Sequence, residues 1–307
     1  MRNKPSLQQL LEVQEHFGLP SPALVEKDWY VVQALAAILT ADIAPFMLVF
    51  GGGTALGRAH RLIHRMSEDI DLKIIGDREP TRAQLRTIRE KITAALLGTG
   101  FQFNPENPDH RASRNSSRYT LYNLPYEPIN RGEGVLRPEI KIETAVWPLH
   151  QPAVILPVSS FVAEAYRQVP ELVAAPCVAI TQTAAEKMVA LTRRVAAETG
   201  LPAHERDSTL MRHIYDIHVI RGQCDPALVV AMAREIMNRD AEEFGNRSPA
   251  YRDDCVGETY RAFDALVTDN TYATQYVQFR RDIIFGEAVE YETALATLGD
   301  FLARLPD

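Results

Sequence analysis

The chain has 307 residues, 46% hydrophobic and 24% charged, with 33 basic and 40 acidic side chains for a net charge of −7. That length can bury a sizeable core and fill two lobes. No apolar run approaches the length of a membrane span, the balance is not that of a protein basic all over, and Met1-Arg2-Asn3-Lys4-Pro5 lacks a signal peptide's apolar core, so a cytoplasmic protein is expected.

Residues 6–40 read as two helices. Ser6 caps the first, and Leu7, Leu10, Leu11 and Val13 give it an apolar side. The second carries Glu26-Lys27-Asp28-Trp29-Tyr30, then Val31, Val32, Leu35, Ile38 and Leu39. Phe46-Met47-Leu48-Val49-Phe50 is a continuous apolar run of strand length, which predicts a buried strand. It runs into Gly51-Gly52-Gly53-Thr54-Ala55-Leu56, with a helix expected over 54–64, and Ser67-Glu68-Asp69-Ile70-Asp71-Leu72 opens a strand over 69–75. A helix over 81–99 follows Pro80, with Leu85, Ile88, Ile92 and Leu96 on one stripe. Phe101-Gln102-Phe103 starts a strand, 104–115 reads as an exposed polar loop, and 119–122 and 136–146 read as strands. From residue 181 the pattern is helical, over 181–197, 207–221, 226–240, 249–268 and 287–304. The expected fold class is α+β: a mixed-sheet α/β lobe with N-terminal helices over residues 1–150, and a mainly helical lobe over 151–307.

The glycine turn and the aspartate strand carry the most chemistry. Glycine adopts backbone angles closed to other residues and lets a ligand approach the main chain. A helix starting near Thr54 leaves unpaired N–H groups and partial positive charge at the turn, which suits phosphate. In the strand, Ile70, Leu72 and Ile74 alternate with Asp69, Asp71 and Lys73, so both aspartates share one face. Two carboxylates that close repel unless a cation or proton stands between them. Mg2+ takes few carboxylates and completes its shell with phosphate oxygens and water. Taken singly, the turn also serves tight strand-to-helix packing, and the alternation also describes a solvated sheet face. Their occurrence one helix apart points to nucleotidyl transfer.

Glu143 is the candidate third carboxylate. It lies on a strand in which Glu139, Lys141 and Glu143 alternate with Ile140 and Ile142. Glu139 has the same facing and is its rival; the plainer reading is a solvated glutamate paired with Lys141. In the helical half, Thr181 or Thr183 caps a helix carrying Lys187 beside Met188 and Leu191, and Asp216 follows Tyr215 among Ile214, Ile217 and Ile220. Pattern alone reads these as a snorkelling lysine and an aspartate–arginine pair. Arg58, Arg61, His64 and Arg65 cluster beside the turn, and His110, Arg111, Arg114 and Arg118 form a second group; each is either a solvated face or a local basic groove on an acidic protein. Cys177, Cys224 and Cys255 are far apart with no C-x-x-C, so no structural disulfide or zinc site is expected.

Gly52-Gly53-Thr54-Ala55-Leu56 with Ser67-Glu68-Asp69-Ile70-Asp71-Leu72 resembles the first motif of the AbiEii/AbiGii-type nucleotidyl transferase toxin family. The likeness extends to Glu26-Lys27-Asp28-Trp29-Tyr30, to Lys141-Ile142-Glu143, to Glu186-Lys187 with Ala190-Leu191, to Arg212-His213-Ile214-Tyr215-Asp216, and to a tail from Tyr276 to Gly286, all in the family's order. The resemblance implies a polymerase-β-like nucleotidyltransferase core, with Asp69 and Asp71 as ligands of Mg2+ (Mn2+ being the alternative) and Lys187 and Asp216 as essential active-site groups. Glu143 would complete the metal site or act as a base. Gly52, Gly53, Thr54, Ser67, Arg58 and Lys187 would contact the phosphates of an NTP co-substrate. The chain departs from the family at Gly57, where a small polar residue is common, and at Arg58, which stands in for a lysine. The function implied is the toxin of a toxin–antitoxin or phage-abortive-infection system. It would transfer NMP to an RNA, the tRNA 3′ acceptor end above all, block translation, and be paired with a transcription-regulator antitoxin. The alternatives are transfer of a nucleotidyl or phosphoryl group to a small molecule or protein, and a non-catalytic NTP-binding module.

Overall fold

The computed structural model describes residues 3–129, 136–246 and 248–305. They form two compact units, Met1–Arg61 with Met66–Val178, and Leu62–Arg65 with Ala179–Asp307.

The first unit opens with α1 (Leu7–Phe17), started by a capping box between Ser6 and Gln9 and stopped by Gly18 at φ 62°. Then come α2 (Pro22–Ile38), β1 (Met47–Gly51), α3 (Gly52–Arg58), β2 (Asp69–Ile75), α4 (Arg82–Leu97), β3 (Arg111–Arg114), β4 (Tyr119–Pro125), β5 (Glu139–Ala145), β6 (Val154–Val158), α5 (Phe161–Ala165) and β7 (Leu172–Cys177). The strands make one mixed sheet in the order β3-β4-β5-β2-β1-β7-β6, with β2 parallel to β5 and β1 parallel to β7. Alternation is strict in β2, β4 and β5. One face buries Ile70, Leu72, Ile74, Tyr122, Leu124, Ile140 and Ile142, and α2 packs against β2 and β5. The other face leaves Asp69, Asp71, Lys141 and Glu143 half-exposed.

The sheet runs past the expected border near residue 150, because β7 pairs with β1 at Phe50 and Cys177. Strands β6 and β7 lack a period-two pattern: both are short, both contain a proline, and Val154, Ile155 and Val173 are exposed. Residues 101–103 are not a strand. Phe101 packs on Tyr30 and Phe103 on Tyr122, while the Gln102 N–H donates to the Pro125 carbonyl at 2.9 Å without a ladder. The polar loop after them ends in β3, and α3 stops at Arg58 rather than near 64.

In α2 every residue from Leu24 to Leu35 is buried, charges included. Buried charge is tolerated only when paired and hydrogen-bonded. Glu26 accepts from the Ile129 N–H at 2.8 Å, and Asp28 from the Phe161 N–H at 2.6 Å. The Lys27 ammonium donates to the carbonyls of Arg137 (2.7 Å) and Glu139 and pairs with Glu68 at 2.9 Å. Burial pushes the Asp28 carboxyl up to about 6, against Arg58 and the Phe161 N–H.

The second unit is helical: α6 (Ile180–Glu198), α7 (Met211–Ile220), α8 (Pro226–Phe244), α9 (Pro249–Asp253), α10 (Cys255–Thr268), α11 (Asn270–Ile283) and α12 (Tyr291–Leu302). Helix α6 is its axis, packed by α7, α8 and α10. Its N-cap is Ala179 rather than a threonine; Thr183 is buried and its hydroxyl donates back to the Ala179 carbonyl at 3.1 Å. Leu62–Arg65 belongs to this unit through a β-bridge between Arg65 and Ile284 and through the Phe285 and Gly286 N–H groups on the His64 carbonyl (3.0 and 3.2 Å). A Cβ on Gly286 would stand 2.4 Å from the His64 Cβ, so that approach requires glycine. Among the described residues no helix is long and apolar enough to cross a membrane.

Replacing Lys27 by Met fills the same volume but strands the Arg137 and Glu139 carbonyls and the Glu68 carboxylate. Equilibrium denaturation is expected to show a loss of roughly 3 kcal/mol, each orphaned buried polar group costing about 1–3 kcal/mol. A loss under about 0.5 kcal/mol would remove Lys27 from the frame of the fold.

Candidate active site

The site in the first unit is built where β1 ends. Gly52 sits at φ 71°, which favours glycine, and a Cβ there would lie 1.9 Å from Asp71 Oδ2. Glycine at 52 is what lets the Asp71 carboxylate rest against the turn. Thr54 is buried at the start of α3 with its Oγ1 2.5 Å from the Asp69 carbonyl and 2.9 Å from Ser67 Oγ, tying the turn to the head of β2. The Thr54 hydroxyl therefore serves the turn itself. Ser67, half-exposed, is its partner.

Strand register sets the carboxylates. Asp71 lies opposite Gly51 on one side and Glu143 on the other, and Asp69 lies opposite Lys141. Glu139 falls beyond the first pair of that register and lies opposite Pro125 of β4. Glu143 is the carboxylate brought beside Asp71.

Two neighbours hold Glu143. Lys141 forms an ion pair with it, and the Tyr119 hydroxyl from β4 bonds to it. Burial works to lower the Lys141 pKa, but Glu143, Asp69 and Asp71 outweigh it and the pKa rises. Burial and the charge of Glu143 push the Tyr119 pKa up, so its hydroxyl stays protonated and donating. Among the described residues no three or more His, Cys, Asp or Glu side chains are arranged to hold an ion by themselves. Two aspartates offer hard oxygens, so the donor set fits a hard divalent ion that completes its shell with phosphate oxygens and water. The Lys141 ammonium is itself a cation standing among the same carboxylates.

Arg58 is used differently from expectation. Its guanidinium stacks 3.8 Å from the centroid of Phe161 and pairs with Asp28 (3.4 Å) and Glu164 (3.8 Å). These contacts bind α3 to α2 and α5, and the guanidinium charge is spent there.

The second unit brings together Lys187, Asp216 and a residue the sequence did not single out as their partner, Arg65. Arg65 clasps Asp216 with two hydrogen bonds of 2.6 Å, and Lys187 reaches the same carboxylate at 2.7 Å. Asp216 is fully buried and the other two nearly so. Burial raises the Asp216 pKa, yet Arg65 and Lys187 together hold it well below the usual carboxylate range. Burial lowers the Lys187 pKa, with Asp216 opposing and Arg65 assisting. Burial, then Lys187 and Arg212, keep His213 well below the usual histidine range and hence neutral. Two cations on one carboxylate leave the cluster net positive. Arg65 had no motif to mark it; only the β-bridge that draws 62–65 into this unit brings it to Asp216.

The chain matches the family model described as nucleotidyl transferase AbiEii toxin of type IV toxin–antitoxin systems over residues 33–297. It belongs to that family. It is a nucleotidyltransferase toxin, and membership implies an NTP substrate and an antitoxin partner. Among solved structures its fold is similar to that of MenT4, a nucleotidyltransferase toxin from Mycobacterium tuberculosis H37Rv, with a TM-score of 0.55 and 18% identity over 96% of this chain and 89% of that one. No curated protein sequence matches it.

Asp216→Asn removes the charge that holds two buried cations. A loss of about 3–5 kcal/mol is expected at neutral pH by chemical denaturation. Because the folded pKa of Asp216 is depressed, its contribution is full above the unfolded value of about 4 and fades as pH falls below it. The gap between wild type and variant should narrow below that pH; a gap that widens there would contradict the assignment.

Proposed function

We propose that this AbiEii-family nucleotidyltransferase transfers NMP from an NTP to the end of an RNA, the tRNA 3′ acceptor end in particular, and so blocks translation in the cytoplasm until an antitoxin of the transcription-regulator type relieves it. One observation carries the reading of the site: the register that sets Asp71 between Gly51 and Glu143, with no room for a side chain at Gly52. A triphosphate lies along the Gly52–Gly53 turn, whose backbone is open to close approach. Asp69 and Asp71 would hold a divalent ion, with Glu143 as the third carboxylate, and an ion held there would supply positive charge against the phosphates. The attacking hydroxyl oxygen forms a bond to the α-phosphorus, the bond to the α–β bridging oxygen breaks, and pyrophosphate leaves with its electron pair. The hydroxyl proton passes to a carboxylate or to water. Lys187, fixed by Asp216, offers a compact positive charge of the kind that binds phosphate.

An RNA acceptor is favoured over a small molecule by the distribution of charge. Residues 78–118 carry eight basic and four acidic side chains within a chain of net charge −7. Arg82 and Arg89 of α4 reach the hydroxyls of Ser116 (3.0 Å) and Ser117 (2.8 Å) at the β3–β4 turn. Arg114 lies opposite Tyr119, which in turn bonds Glu143, so the arginine surface adjoins the carboxylate row on the same sheet.

Incubated with labelled NTPs, a divalent ion and total tRNA, the wild-type protein is expected to label RNA, and Asp69→Ala to lose at least about a thousandfold of that rate while keeping its melting curve. Transfer that survives Asp69→Ala would sink the metal assignment. The triple change Arg82→Ala, Arg89→Ala, Arg114→Ala should raise KM for RNA about tenfold or more and flatten its salt dependence, each phosphate contact adding about 0.7–0.9 to the slope. Labelling of a small molecule instead of RNA, indifferent to these arginines, would favour the alternative acceptor.

A further inference from the structure

The parallel register of β2 and β5 lays Lys141 opposite Asp69 and Glu143 opposite Asp71, on one half-exposed sheet face. Lys141 and Glu143 are two residues apart on the same strand face, and their side chains are joined in an ion pair. The side chain of Lys141 is 41% exposed, so it has somewhere else to go. Arg137 lies 4.0 Å from Glu139, at the outer end of the strand, and Lys73 lies over the Trp147 ring. Of the basic side chains paired in that register, Lys141 is the one set against the aspartates.

We propose that Lys141 is a resident counter-cation of the Asp69–Asp71–Glu143 face, which neutralises the carboxylates until a divalent ion arrives and then swings aside. The inference rests on the metal reading given above and adds a residue to it: Lys141 acts through Glu143 and sets how tightly the ion is held. The Lys141 ammonium and a divalent ion compete for the same oxygens. Three carboxylates on neighbouring strands cost free energy when uncompensated, and an ammonium on a flexible stem compensates them cheaply. The same ammonium repels a second cation at the same oxygens. The design lowers metal affinity, because binding must first break the Lys141–Glu143 pair. It also frees Glu143 at the moment the ion is held, so the third carboxylate becomes available only in the loaded site.

The test compares Mn2+ binding, followed by the electron paramagnetic resonance signal of the free ion, in the full-length wild type, Lys141→Gln, Lys141→Arg and Asp69→Ala. Lys141→Gln removes the charge and keeps a hydrogen-bond donor, on a side chain one bond shorter. It should bind Mn2+ about tenfold more tightly, a change that corresponds to about 1.4 kcal/mol, and should melt lower than wild type without the ion and gain more from its addition. Lys141→Arg keeps the charge and should stay within about twofold of wild type. A second measurement needs no variant: the extent of reductive methylation at Lys141 in the wild type, read by mass spectrometry, should rise when Mn2+ is added. Unchanged or weaker Mn2+ binding by folded Lys141→Gln would overturn the proposal, as would Mn2+ protecting Lys141 from methylation. Absence of Mn2+ binding in the wild type, or binding undiminished in Asp69→Ala, would overturn the metal reading itself.

Discussion

One buried ammonium sets the frame on which the carboxylates sit. Lys27 leaves the middle of α2, ties the carbonyls of Arg137 and Glu139 at the head of β5, and reaches Glu68 just before β2. Those strands are parallel neighbours whose heads the same charge gathers, and their register decides what stands beside Asp71. A slip of one residue would turn the opposing side chain to the other face. Parallel strands lack a hairpin to fix their alignment. Here a side chain from a helix does that work, and Glu26 and Asp28 anchor the Ile129 and Phe161 backbone from the same helical turn.

That arrangement explains why three charges are buried in a helix that is otherwise core. A surface ion pair would add little, and replacing a buried pair with apolar side chains is often neutral or better for stability. What hydrophobic residues cannot do is select one alignment, since apolar contacts are non-directional. The ammonium donates in fixed directions to chosen carbonyls, and misalignment leaves those groups unpaired at a cost of about 1–3 kcal/mol each. The Glu26-Lys27-Asp28 element is thus explained by alignment of the sheet and of the segments packed beside it.

The legible and illegible parts of the chain divide along physical lines. Period-two alternation made β2 and β5 readable, Ser6 and Pro80 marked the starts of α1 and α4, and the stripe Leu85, Ile88, Ile92, Leu96 is buried as its spacing requires. The glycine turn and aspartate pair were readable because each needs a rare residue at a fixed place. Strands β6 and β7 were not, since prolines and outward-facing valines erase the alternation. The clasp of Arg65 on Asp216 spans 151 residues of sequence, and no local pattern encodes a contact at that range. Arg58 shows the converse. Its position beside the turn suggests phosphate, whereas Phe161, Asp28 and Glu164 claim it for packing.

A chain of net charge −7 that belongs to a family using NTPs must manage repulsion between polyanions. Net charge is a poor guide here, because charges farther apart than a Debye length of about 8–10 Å are largely screened. What a phosphate meets is the local field. In this protein that field is set by position: a carboxylate row offset by the Lys141 ammonium, a second unit whose Asp216 is outnumbered by Arg65 and Lys187, and an arginine-rich stretch over residues 78–118. The acidic residues that make the total negative lie elsewhere in the chain, as in the segment from Asp240 to Glu258. An acidic total is therefore compatible with stretches of the chain that are locally basic. It also keeps distant anionic groups from binding wherever chance brings them, so the positive charge that remains is confined to places where the fold has put it.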